Sequence, residues 1–187
     1  MTSDEQELTI SVGGCQLNCQ LTSQPIHFRR QKIVLPETQM LVVDFKKVAA
    51  LAGIDISATA LVVESAPAPH VPPSSLPKGK MAVYAFFCRG ECLKVGKVGP
   101  KSQARYTSQH YIPHSSNSNL AKSLLAARTE MELLDLQDSE IGAWIQSNVD
   151  RFNFLLDARC GIAALTLLEV FLQCRLKPRF EGFASQQ

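Results

Sequence analysis

A chain of 187 residues, 45% of them hydrophobic and 19% charged, carries enough apolar material for a substantial core, as one domain or as a small one plus a medium one. Its net charge is only +2, no apolar run reaches the ~18 residues of a membrane span, and Met1–Glu7 is acidic and polar rather than basic and then apolar like a signal peptide, so a membrane partner is not expected and a cytoplasmic setting is. The six cysteines, at 15, 19, 88, 92, 160 and 174, are too dispersed for a disulfide framework and lack zinc-knuckle spacing.

In chain order, Leu8–Val12 and Cys15–Leu21 alternate apolar and polar residues about Gly13-Gly14, which predicts a hairpin with Cys15 and Cys19 facing inward. Pro25–Pro36 predicts a strand carrying Arg29, Arg30 and Lys32. Asp44 can cap a helix through Phe45–Ala52 that Gly53 stops, and Ala60–Val63 reads as another strand. Together these predict a small α+β unit over residues 1–64. Residues 65–80 hold five of the ten prolines without apolar periodicity and read as a semi-rigid linker. A second domain, 81–187, is expected beyond it.

That domain opens on two apolar runs, Met81–Cys88 and Cys92–Val98, about the turn Arg89-Gly90-Glu91. As the two strands of a hairpin, they place Val83, Ala85, Phe87, Leu93 and Val95 on one face and Tyr84, Phe86 and Lys94 on the other. Cys88 and Cys92 are expected opposite one another. Lys101–Ser108 predicts a short helix aiming Arg105 at the Tyr84 face. His110 follows, either as a supporting acid or phosphate contact or as a surface imidazole. Ser118 or Asn119 can cap a helix through Leu120–Leu125, Ser139 precedes another through Ile145, and Arg151–Leu156 reads as a third strand. The last helix, Gly161–Leu176, is apolar from Ile162 to Leu172 except for Thr166 and Glu169. A carboxylate in such a helix needs a cation or a narrow solvent stripe beside it.

Charge is unevenly distributed along this second domain. Nine Lys or Arg and one acid lie between Lys78 and Arg128, whereas residues 129–150 hold six acids and no base. A polyanion would bind the surface built by the first stretch, with Lys97, Lys101 and Lys122 as its contacts.

The order Ala82-Val83-Tyr84, Lys94-Val95-Gly96 and Arg105, followed by Leu168-Glu169-Val170-Phe171-Leu172 and Lys177-Pro178-Arg179-Phe180, resembles the GIY-YIG nuclease family over residues 80–183. Ala82 stands for the family's first glycine, Lys94 for its second tyrosine, as in a restriction-enzyme branch, and Glu181 for its closing asparagine. The resemblance implies an α+β fold with a three-stranded antiparallel sheet among helices. It also implies an Mg²⁺- or Mn²⁺-dependent endonuclease acting on nucleic acid, with DNA the favoured substrate. In that role Tyr84 is the general base, helped by Lys94, Arg105 stabilises phosphoryl charge, His110 supports, and Glu169 holds the metal. A module that binds nucleic acid without cutting it is the alternative.

Overall fold

The computed structural model describes residues 35–180. They form one antiparallel sheet of four strands, β1 (Leu61–Ala66), β2 (Lys80–Cys88), β3 (Glu91–Val98) and β4 (Asp150–Asp157), in the order β1-β4-β2-β3. Five helices accompany it: α1 (Leu35–Leu51), α2 (Gln103–Thr107), α3 (Leu120–Ala126), α4 (Ile141–Asn148) and α5 (Gly161–Leu176). The class is α+β, as expected, with four strands rather than three. The predicted hairpin at residues 8–21, the strand at 25–36 with its bases, Cys15, Cys19 and Glu181 lie outside the described residues, apart from the part of that strand that begins α1.

Each sheet face buries its own core. On one, Met81, Val83, Ala85 and Phe87 of β2 and Phe152, Phe154 and Leu156 of β4 pack beneath Phe45 and Ala49 of α1 and Ala164, Leu165, Leu168 and Leu172 of α5. On the other, Ala82, Tyr84, Phe86 and Cys88 of β2 and Leu155 of β4 meet Tyr106, Leu120, Leu124, Ile141 and Ile145 from α2, α3 and α4. Strand β2 is apolar along almost its whole length because both of its faces are covered, while β4, covered likewise, carries Arg151 and Asn153 among its apolar residues.

The central hairpin closes through Arg89 and Gly90 alone. Their φ values of 53° and 86° are those of a type I′ turn, whose twist matches the strands. A bulge between Phe86 and Phe87 then sets Phe87 opposite Cys92 and Cys88 opposite Glu91. The extra residue turns Leu93 onto the Tyr84 face and Cys92 onto the Val83 face. Two expectations are thereby corrected: Leu93 does not join Val83 and Val95, and Cys88 and Cys92 sit on opposite faces. The shared face of Tyr84 and Lys94 survives, because the shift occurs beyond Lys94, which stays opposite Phe86 while Gly96 stays opposite Tyr84.

The strand expected in a separate N-terminal unit forms the outer strand β1, each of its six residues paired with β4. Helix α1 likewise packs into the common core. It starts well before Asp44, which caps nothing. The Asp44 carboxylate instead bridges Lys47 at 3.2 Å and Arg175 of α5 at 2.9 Å, and those two cations hold it below the usual carboxylate range. Gly53, at φ 73°, follows the helix end as predicted.

The proline-rich stretch is anchored, not merely a spacer. Ala68 N–H donates to Asp150 Oδ1 at 2.7 Å, His70 N–H to the Gln146 carbonyl at 2.9 Å and Leu76 N–H to Gln103 Oε1 at 2.9 Å, while the His70 and Leu76 side chains are buried. Sequence composition shows that such a segment cannot make its own core; it does not show that a neighbouring core can hold it.

Candidate functional site

Antiparallel pairing lays two rows of side chains across the middle of one sheet face. The first runs Arg151–Phe86–Lys94 and the second Asn153–Tyr84–Gly96, contributed in each case by β4, β2 and β3. Tyr84 and Lys94 therefore share a face and lie diagonally on adjacent strands, as their spacing predicts. Both are covered by the helices, with Tyr84 2% and Lys94 1% exposed. The Lys94 ammonium donates to Ser118 Oγ at 3.2 Å, in the loop that leads into α3.

Gly96 has a steric reason to be glycine. The Tyr84 ring lies across it, so a methyl group there would collide with the phenol oxygen and come within 2.7 Å of Cζ. The phenol thus crosses β3, the outermost strand on its side of the sheet, at Gly96. The next residue, Lys97, points to the opposite face, where its Nζ meets Glu169 Oε2 at 2.7 Å and donates to Thr166 Oγ1 at 3.2 Å. Here the two polar residues between Ile162 and Leu172 of α5 find their purpose in the fold: three residues apart, they project from one side of the helix and receive one lysine. The cation that a half-buried carboxylate requires is Lys97, with the Glu169 side chain 17% exposed.

Arg105 lies exposed on α2, the short helix that follows β3. His110 is not a surface imidazole. It is buried, with its ring edge to face with Tyr84 at 4.4 Å and against Phe86 at 5.1 Å. Nδ1 accepts the Leu120 N–H at 3.2 Å, so the neutral ring carries its proton on Nε2. Burial first, then the charges of Lys94, Arg151 and Arg105, push its pKa well below the ordinary histidine value. A ring held neutral in this way packs Tyr84 and anchors the start of α3. Asn119 completes the support: Oδ1 caps α3 by accepting Lys122 N–H at 2.8 Å, while Nδ2 donates to the Pro113 and Ser116 carbonyls.

The structure therefore brings together Tyr84, Lys94 and His110, and it places Lys97 and Glu169 across the sheet from them. Lys101 and Lys122 are exposed, as a phosphate contact must be. Among the other bases of the expected polyanion surface, Arg89 pairs with Glu132 at 2.9 Å and Arg128 with Asp138, so part of the acidic stretch neutralises part of the basic one.

Sequence reasoning missed Arg151, Asn153, Tyr111 and His70. Arg151 is fully buried; its Nε donates to Asn153 Oδ1 at 2.8 Å, one terminal nitrogen to Tyr111 Oη at 3.3 Å and the other to the Tyr106 carbonyl at 2.7 Å. Tyr111 Oη in turn meets His70 Nε2 at 2.8 Å, which ties the proline-rich stretch to the network. The signal was present in Arg151-Phe152-Asn153: two polar residues two apart on an apolar strand share one face and need one another.

Comparison with protein-family models, with curated proteins and with solved structures finds no match to this chain. Among the described residues no three His, Cys, Asp or Glu side chains cluster as a metal site would. Glu169 is a single carboxylate, and its Oε2 is already paired with Lys97 at 2.7 Å.

Proposed function

We propose that this protein is an Mg²⁺-dependent phosphodiesterase of nucleic acid, with DNA the favoured substrate, and that its site lies astride the outer strand β3 at Gly96 and Lys97. The observation that carries the reading is a convergence at consecutive residues. The Tyr84 phenol crosses β3 at Gly96, and the Glu169 carboxylate reaches it at Lys97. Exposed Lys101 and Arg105 follow within the next nine residues of chain.

Each residue has a role matched to its chemistry. Tyr84 Oη takes a proton from the attacking water, favoured by the buried Lys94 ammonium on the same face. The water oxygen bonds to phosphorus as the ester P–O bond breaks, and solvent protonates the departing oxygen. Arg105 faces the extra negative charge on the phosphoryl oxygens. Lys97, Lys101 and Lys122 hold the backbone by charge, which makes binding fall steeply with salt. Glu169 would hold Mg²⁺, which when bound would supply Lewis-acid polarisation of the phosphate and stabilisation of the leaving oxygen.

A second reading has its own support. Tyr84 and Lys94 are almost wholly covered, as suits a core retained by a module that binds nucleic acid without cutting it. Incubating the full chain with single- and double-stranded DNA, in Mg²⁺, Mn²⁺ or EDTA, separates the two. The nuclease reading expects metal-dependent cleavage that Arg105→Ala lowers about a hundredfold, the range for losing one transition-state donor. Salt-sensitive binding with no cleavage in either metal would establish the binding module instead.

A further inference from the structure

All three tyrosines of the chain gather on one buried cation. The Arg151 guanidinium lies 4.8 Å from the Tyr106 ring centre, 5.3 Å from Phe86 and 6.0 Å from Tyr84, and it donates to the Tyr111 hydroxyl at 3.3 Å. Its other hydrogen bonds go to a neutral amide and a backbone carbonyl, and among the described residues no carboxylate pairs with it. Removing a guanidinium from water costs the fold more than an aliphatic side chain of the same length would, so packing alone does not account for an arginine here. The ionisable side chain that it hydrogen-bonds is a phenol, that of Tyr111.

We propose that Arg151 is a positioning residue for Tyr84: its buried charge steadies the phenol in the groove left by Gly96 and favours the phenolate that a general base must become. The proposal rests on the nuclease reading for its purpose, but not for its physics. Two cations then flank the central row, Arg151 on one side of Phe86 and Lys94 on the other, with Tyr84 diagonal to both. Other groups face the same cluster. His110 is neutral, Arg105 approaches from α2, His70 sits beyond Tyr111, and Glu64 and Asp150 act on Tyr106 and His70 respectively. Burial raises the Tyr106 pKa to about 12 and raises that of Tyr111, and in both the Arg151 charge works against the shift. Tyr84 has the benefit of a second cation as well.

The full chain labelled at tyrosine Cζ gives three carbon resonances, one per tyrosine, with Tyr84 identified by its loss in Tyr84→Phe. Followed through pH, the wild-type Tyr84 signal supplies the reference midpoint. Arg151→Met is expected to raise its midpoint by more than one pH unit, a tenfold gain in proton affinity, whereas Arg151→Lys keeps the charge and stays close to wild type. The rising limb of the cleavage rate against pH should move with it. An unmoved midpoint in folded Arg151→Met overturns the proposal. If Arg151→Met does not fold, a shift in Arg151→Lys as large as that caused by Lys94→Met would equally overturn it. Wild-type protein that never cleaves DNA defeats the nuclease reading while leaving the titration result standing.

Discussion

The two faces of the sheet are built on different physics. The face beneath α1 and α5 is aliphatic and aromatic throughout its centre, and its polar cluster of Lys97, Thr166 and Glu169 involves the outer strand alone. The face beneath α2, α3 and α4 carries two cations, two histidines, two asparagines and three tyrosines in its interior. The first holds the fold by area removed from water; the second by a connected set of hydrogen bonds that must all be kept, since each unpaired buried group costs more than a good bond returns. Adjacent residues of β4 test that contrast most directly. Phe154→Ala empties part of the dry face and should lower unfolding free energy by about 3–5 kcal/mol. Asn153→Ala leaves the Arg151 Nε–H without its acceptor and should lower it by about 1–3 kcal/mol. Denaturant midpoints of the two variants measure both, and equal losses would mean that the faces do not differ as their composition says.

Acid should find the polar face first. Burial, and then the Arg151 charge, lowers the His70 pKa, and His110 is pushed down further. In the unfolded chain both imidazoles take a proton as pH falls through about 6.5, whereas in the fold they stay neutral to lower pH. The unfolded state thus binds more protons below that point, so stability falls with pH, by at most about 1.4 kcal/mol per unit for each imidazole. Urea unfolding at pH 7 and at pH 5 should show that loss. A protein equally stable at both would carry its buried histidines in some other state.

How much of this was legible in the sequence depends on the distance over which each feature is decided. The hairpin with Tyr84 and Lys94 on one face, the last helix at Gly161–Leu176 and the cap at Asn119 are fixed by period and turn chemistry within about a dozen residues, and all were read from them. The bulge at Phe86/Phe87 was not, because a two-residue turn at Arg89-Gly90 and a three-residue one fit the same letters while sending Leu93 to opposite faces. The docking of β1 is decided by partners 85 to 95 residues away, and that of the proline-rich stretch by partners up to 82 residues away, such as Asp150 for Ala68. Arg151 gave only a weak sign, since a cation inside a strand reads as surface until its aromatic cage is seen. Glu169 reads from sequence as needing a cation or a solvent stripe, and the lysine that meets it lies 72 positions earlier, where nothing local announces the pair.

The Lys97–Glu169 pair offers the smallest effect on stability and the finest division between the faces. Lys97 is about one third exposed, so water screens the pair and its coupling in a double-mutant cycle of Lys97→Met and Glu169→Gln should stay within about 1 kcal/mol. Thr166 remains to hold the Lys97 ammonium when the carboxylate is gone, which further limits the loss. The same two variants should separate sharply in Mg²⁺ binding, followed by calorimetry on the DNA-free protein. Glu169→Gln removes the carboxylate charge and should abolish it. Lys97→Met removes the cation that competes for the same oxygen and should tighten it severalfold, because a unit charge at this range opposes a second cation even at the screening of a protein surface. Tighter Mg²⁺ binding in Lys97→Met, with the fold's stability almost unchanged, would mark this polar cluster as kept for a ligand. A coupling well above 1 kcal/mol with no change in Mg²⁺ affinity would return it to the structural face on which it sits.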